Sequence, residues 1–72
     1  MTNDFKYINS SAVKAIRVNN NDLHILYQGN DVIYVYNGAA IRYNELLAAE
    51  SIGRFVNSQI KGQYNVSRYE LL

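Results

Sequence analysis

The chain has 72 residues, of which 49% are apolar, and a formal net charge of +1. This composition indicates a single globular domain over residues 1–72 and excludes a disordered tail. With no cysteine and one histidine, disulfides are excluded and a structural zinc is disfavoured. So small a net charge argues against a protein that follows long double-stranded DNA. The sequence has no signal-like start and no apolar run of membrane length, so we expect a cytoplasmic protein with no membrane partner.

The chain length also bears on stability. A domain of this size buries only roughly 60% of its unfolded surface, and disulfides, metals or partner chains often stabilise such domains. Because the first two aids are excluded or disfavoured here, we expect a homo-oligomer.

Three segments in the first half of the chain show the alternation and β-branched content of strands: residues 11–19, 23–28 and 32–37. Asn-rich and Gly-Asn turns join them, and turns this short connect antiparallel neighbours. In the third strand, Tyr34 and Tyr36 share one face, and Ile33 and Val35 share the other. Since the second and third strands are apolar on both faces, we expect another protomer or the C-terminal segment to cover the second face.

After Gly38 the apolar period becomes helical. Residues 39–50 predict one helix and residues 52–62 a second, with Ser51 as the N-cap of the second. Residues 63–72 predict either a short fourth strand or an ordered tail. The sequence therefore predicts an α+β domain, in which a three-stranded antiparallel meander is followed by two helices and by this strand or tail.

The pattern contains no recognisable catalytic constellation. His24 alternates with apolar residues in the second strand, and the six carboxylates are scattered near turns and helix ends. Their spacing matches no acid pair, metal site or nucleophilic triad. We therefore expect a protein that is not an enzyme and that holds no cofactor and no metal.

Binding is better supported by two groups of residues. Seven tyrosines are present, and the rings of Tyr34 and Tyr36 either pack in a core or stack on a base, with neither alternative favoured. At the start of the second helix, the free N–H groups near Ser51, Gly53 and Arg54 suit a phosphate. A neighbouring side chain packed on Gly53 and a solvated helix face are the alternatives. The predicted site is completed by Asn57, Lys61 and Tyr64.

A paired serine, a Tyr-x-Tyr, a glycine before a helix and a serine-glycine-aromatic segment follow one another along the chain. These positions are Ser10, Ser11, Tyr34, Tyr36, Gly38, Tyr43, Leu46, Leu47, Ala49, Ser51, Gly53, Phe55, Asn57, Ile60, Lys61 and Tyr64. In this pattern the chain resembles the KTSC domain family, which is named for a C-terminal segment of some lysyl-tRNA synthetases and includes short bacterial and phage proteins. The resemblance covers residues 10–64 and departs from the family pattern at Ala39, Ala40 and Val56. It implies the fold described above and favours RNA binding, the usual suggestion for the family.

Together these features predict a non-catalytic module for a nucleotide-type ligand, either a short RNA segment or a small nucleotide. A base would stack on a tyrosine, and a phosphate would lie at the start of the second helix. One alternative is a phage-type oligomer that sequesters a nucleotide immune signal without cleaving it. The other is a module that binds only proteins, through the aromatic face of the sheet.

Overall fold

The computed structural model describes residues 5–70. Within them, no helix is long and apolar enough to cross a membrane. The strands are β1 (Lys6–Tyr7), β2 (Val13–Asn19), β3 (Asp22–Tyr27), β4 (Val32–Tyr36) and β5 (Val66–Glu70). Between β4 and β5 lies the helical segment, which consists of a 3-10 helix (Ala39–Arg42), α1 (Tyr43–Ala48), α2 (Ile52–Phe55) and a π-helix (Val56–Ile60).

The five strands form one antiparallel meander in the order β1-β2-β3-β4-β5. The predicted α+β class is confirmed, and the sheet has one more strand at each edge than the three predicted. The C-terminal segment is a strand, because Val66 pairs with Tyr36 and Glu70 pairs with Val32. Since Val66–Glu70 extends the sheet, the prediction that the C-terminal segment covers the second face is wrong for its described residues, and residues 71–72 lie outside them.

A β-bulge between Val13 and Ala15 changes the alternation of β2. Strict alternation would put Val13 and Ile16 on opposite faces. Both are fully buried in the same core cluster, because the bulge inserts one extra residue and shifts the phase of the strand.

The helical segment covers one side of the sheet, here called the helix face. Two hydrogen bonds fix where this segment begins. Asp22 Oδ1 accepts from the N–H of Gly38 at 3.0 Å, and the carbonyl of Asn21 accepts from the N–H of Ala40 at 3.1 Å. Gly38 has a φ of 80°, which glycine adopts without strain and which lets the chain turn back over the sheet. The core on this face contains Val13, Ile16, Leu23, Ile25, Tyr36, Ala39, Leu46, Val56 and Ile60.

The opposite side of the sheet, here called the second face, carries a smaller buried cluster of Ala15, Leu26, Ile33 and Val35. Phe5 packs on this cluster, and the guanidinium of Arg17 lies 4.4 Å from the Phe5 ring centroid. Arg17 Nε donates to His24 Nδ1 at 2.9 Å. The four cluster residues are buried within a single chain, so their burial does not itself require another protomer over this face.

Candidate functional site

Three tyrosines meet on the helix face of β3 and β4. The hydroxyls of Tyr27 and Tyr36 share a hydrogen bond of 2.8 Å. The rings of Tyr27 and Tyr34 make an edge-to-face contact, with centroids 5.1 Å apart and planes at 79°. Burial raises the pKa of both Tyr27 and Tyr36 above the ordinary value of 10.0. Both hydroxyls therefore stay protonated near neutral pH and hold the rings together.

Tyr36 and Tyr34 have different exposures. Tyr36 is 3% exposed, and packing accounts for its ring. Tyr34 is only partly buried. It lies in an open cleft of about 370 Å³, here called the tyrosine cleft, which is lined by Val32, Tyr34, Arg68 and Glu70. Of the two tyrosines proposed from the sequence to stack on a ligand, Tyr34 is therefore the one with ring surface to offer.

Two cations lie beside the tyrosine cluster, one next to Tyr34 and the other next to Tyr27. Arg68 is the direct cross-strand partner of Tyr34, so the two side chains stand side by side on the helix face. Lys61, which follows the π-helix, places Nζ 5.0 Å from the centroid of the Tyr27 ring. Neither cation forms an ion pair within residues 5–70, in contrast to Arg42, which pairs with Glu45. The charge of Arg68 is available to an anion in the tyrosine cleft, whose lining also includes the carboxylate of Glu70 but not Lys61.

Of the residues expected to hold a phosphate, Ser51 lies elsewhere, at a second open cleft of about 280 Å³, here called the serine cleft. Ser51 is the N-cap of α2, as predicted, because its Oγ accepts from the N–H of Arg54 at 3.3 Å. Glu50 lines this cleft and no lysine or arginine does. A phosphate there would meet a carboxylate without a cation to offset it. The lining residues are Asn9, Ser10, Ser11, Ala49, Glu50, Ser51 and Ile52.

The glycine at position 53 is explained by packing within the chain. A Cβ on Gly53 would lie 2.9 Å from Cβ of Ala12, closer than two such atoms normally approach. The segment around Ala12 is itself fixed, since Ser10 Oγ accepts from the N–H groups of Ala12 and Val13 at 3.1 and 3.2 Å. Close contact between α2 and this segment, and not a ligand, therefore accounts for Gly53.

The second helix widens after its first turn. The hydroxyl of Ser58 donates to the carbonyl of Arg54 at 3.0 Å, and this bond competes with the regular α-helical bond at that carbonyl. The N–H of Lys61 then donates to the carbonyl of Val56 at 2.8 Å, which is π-helical pairing. Arg54 and Asn57 are exposed on this segment, and neither lines the tyrosine or the serine cleft. Such widened turns occur often at functional sites.

Tyr64 is engaged by Arg42. A hydrogen bond with Tyr64 raises the pKa of Arg42. Arg42 also donates to Gln59 Oε1 at 3.0 Å, and its guanidinium lies 5.9 Å from the Phe55 ring centroid. Arg42 thus joins the 3-10 helix to the second helix at Phe55 and Gln59, and Tyr64 belongs to this structural cluster. No pattern in the sequence pointed to that role for Arg42.

The structure therefore brings Tyr34 and Lys61 together around Tyr27 and separates them from Ser51. It adds Arg68, which lies in the segment that the sequence left open as a strand or a tail. Had that segment been assigned as a strand beside β4, alternation would have pointed to Arg68. Within the described residues, no group of three acidic or histidine side chains could hold a metal ion.

A protein-family model covers most of the chain. The model of a protein family described as the KTSC domain matches residues 9–64. No curated protein matches the chain. Tyr34 and Lys61 lie within the matched range, whereas Arg68 and Glu70 lie beyond it.

Proposed function

The chain belongs to the KTSC domain family, and on this basis and that of the cleft geometry we propose that it is a non-catalytic module that binds a nucleotide-type ligand. The ligand is a short RNA segment or a small nucleotide. Its base stacks on Tyr34 in the tyrosine cleft, and its phosphate contacts Lys61 and Arg68.

The partly exposed ring of Tyr34 is the observation that carries this proposal. Tyr27 holds that ring by an edge-to-face contact at 5.1 Å, so little conformational freedom remains to be lost when a base stacks on it. Base–aromatic stacking contributes about 1–3 kcal/mol and accepts any base, since every base has a π face. The two neighbouring cations supply the charge that a phosphate needs.

The size of the cleft and the charge of the chain favour a small ligand. A volume of about 370 Å³ lies at the lower end of the usual range for ligand pockets. Each phosphate bound along a nucleic acid needs a cation, and the chain has seven cations against six carboxylates. A mononucleotide or a few nucleotides of single strand therefore fit better than long double-stranded DNA.

The surroundings of the cleft support binding without catalysis. Burial raises the pKa of Tyr27 and Tyr36, so neither hydroxyl serves as a base near neutral pH. His24 lies on the second face, where its Nδ1 accepts from Arg17. Burial, and then the charge of Arg17, lower the pKa of His24, although Asp22 acts in the opposite sense. The histidine is therefore neutral and remote from the tyrosine cleft.

Two alternatives differ from this proposal in the ligand or the partner that the chain binds. A bacterial or phage oligomer that sequesters a nucleotide signal in the cytoplasm would use the same cleft and differ only in its ligand. A module that binds proteins is favoured by β5, where Val66 is 51% exposed and Tyr69 is 59% exposed.

Titration calorimetry with short single-stranded RNAs and with mononucleotides tests the proposal. Tyr34→Leu keeps an apolar side chain but removes the π face, and we expect affinity to fall about 5- to 150-fold. Tyr34→Phe keeps the ring and should bind within about threefold of the original chain. Tyr7→Leu is the control, because it removes a tyrosine ring that is 61% exposed at the other edge of the sheet, away from the tyrosine cleft.

Two results would contradict the proposal. One is the absence of heat with every RNA and nucleotide tested. The other is an equal loss of affinity for Tyr34→Leu and Tyr7→Leu, with both variants shown to be folded by circular dichroism.

A further inference from the structure

The two edges of the sheet are unequal. β1 has two residues, whereas β5 has five, of which four are exposed and Ser67 is intermediate. β5 contains no proline, and its described ladder partner is β4. A five-residue edge of this kind can accept another strand through its free backbone groups.

The backbone groups that face outward follow from the pairing with β4. The N–H of Asn37 donates to the carbonyl of Asn65 at 2.8 Å, so the backbone of Asn65 faces β4. Because backbone direction alternates along an antiparallel strand, Ser67 and Tyr69 also direct their N–H and C=O groups towards β4. Arg68 and Glu70 direct theirs outward, to the open edge.

From this edge we infer that a second copy of the chain pairs antiparallel with β5, with the two-fold axis at Tyr69. In this register Arg68 of each copy lies directly opposite Glu70 of the other. Both residues have outward-facing backbone groups, so the two Arg68–Glu70 pairs would exchange four backbone hydrogen bonds. The two Tyr69 side chains meet across the axis on the second face.

The charges on β5 favour a second copy of the chain as the partner strand, and they favour the register centred on Tyr69. Arg68 and Glu70 lie on one face of the strand, two residues apart and opposite in sign, and neither forms an ion pair within residues 5–70. An antiparallel copy centred on Tyr69 matches each charge with its opposite, which stabilises cross-strand pairs. A parallel copy in register, or an antiparallel copy centred on Arg68, would place Arg68 against Arg68. Among antiparallel two-fold arrangements of this strand, the one centred on Tyr69 is the one that pairs Arg68 with Glu70.

This dimer goes beyond the proposed function, and it forms without a ligand. It continues the helix face across the axis, so that Tyr34, Arg68, Glu70 of the second copy and Val32 of the second copy follow one another in a row. The two tyrosine cleft surfaces then adjoin on a single sheet.

A charge-reversal series in the absence of ligand tests the inference by sedimentation equilibrium over micromolar to millimolar protein. Arg68→Glu and Glu70→Arg each create two like-charged pairs, and each should weaken the dimer about tenfold. The double variant R68E/E70R restores opposite charges and should restore the dimer. A chain that stays monomeric at the highest concentration, or a double variant no better than the singles, would overturn the inference.

A disulfide test examines the register separately. The chain has no cysteine, and Tyr69→Cys places one thiol from each copy in a non-hydrogen-bonded pair with a Cα separation of about 4.5 Å, which a disulfide spans. Oxidation should yield a covalent dimer of Tyr69→Cys and little of Tyr7→Cys, a control of similar exposure at the other edge. Equal crosslinking of the two variants would contradict the register. Failure here leaves ligand binding by Tyr34 unaffected, so the two proposals fail separately.

Discussion

Tyr34 and Tyr36 lie two residues apart on one strand and one face, yet they occupy different environments. Tyr36 pairs with Leu23, near the turn to which the helical segment is tied, and is 3% exposed. Tyr34 pairs with Ile25 and Arg68 and lines an open cleft. Alternation thus decides which face a side chain occupies, whereas the point at which the chain leaves the sheet decides which end of that face is covered.

Replacing each of the two rings with alanine should give the largest difference in stability between these positions. Tyr36→Ala leaves a cavity in the core and should lower the free energy of unfolding by about 3–5 kcal/mol. Tyr34→Ala, at a partly exposed position, should lower it by about 1–2 kcal/mol. Urea unfolding monitored by circular dichroism measures both values. Equal losses would show that the two rings are packed alike.

Replacing each of the two tyrosines with phenylalanine, which removes only the hydroxyl, should give a smaller difference in stability. Tyr36→Phe leaves the hydroxyl of Tyr27 without its partner and should cost about 1–3 kcal/mol. The hydroxyl of Tyr34 forms no hydrogen bond within residues 5–70, so Tyr34→Phe should change stability by less than about 0.5 kcal/mol. The same urea experiment checks this prediction, and a neutral Tyr36→Phe would contradict the Tyr27–Tyr36 bond.

Alkaline pH should lower the free energy of unfolding through two tyrosines of the helix face, Tyr27 and Tyr36. Burial raises the pKa of Tyr27 and Tyr36 above 10.0, so above this pH the folded chain keeps protons that the unfolded chain has lost. The contribution of these two tyrosines to the free energy of unfolding is therefore complete below about pH 10. It is lost as the pH rises further, by at most about 1.4 kcal/mol per pH unit for each tyrosine. Unfolding measured from pH 9 to 12 should show this fall, with a shallower slope in Tyr36→Phe. A stability independent of pH above 10 would contradict it.

The smallest expected effect is on the salt dependence of ligand binding at the tyrosine cleft, which lies at the open end of the helix face. Each phosphate contact with a single strand adds about −0.7 to the slope of log K against log salt. Lys61→Ala should reduce the slope by about that amount, whereas Lys6→Ala, at the far edge, should leave it unchanged. Titrations of a short RNA at several salt concentrations measure the slope, and an unchanged value in Lys61→Ala would remove Lys61 from the site.

Much of the fold was predictable because local chemistry defines it. The Asn-rich turn contains Asn20 at a φ of 59°, and Gly29 and Gly38 also have positive φ, as the predicted turns require. The bulge in β2 and the π-helix were not predicted. The bulge depends on which residues the tertiary core buries, and the π-helix depends on the side-chain bond from Ser58 to Arg54.

The site was predictable in part. Alternation correctly placed Tyr34 and Tyr36 on one face, but it could not show which of the two rings the helical segment covers. The sequence joined Ser51 and Tyr34 in one site, whereas they line different clefts, because the separation of two elements depends on how they pack. The glycine at position 53 correctly indicated a close approach, and that approach comes from Ala12.

The most direct test of the account is a chemical-shift titration of the ¹⁵N-labelled chain with a mononucleotide and with a short single-stranded RNA. The tyrosine cleft predicts that the amide shifts change most at Tyr34, Arg68 and Lys61. Changes centred on Ser51 to Arg54 would transfer binding to the serine cleft. Such a pattern, or no change with either ligand, would contradict the claim that Tyr34 is the stacking surface.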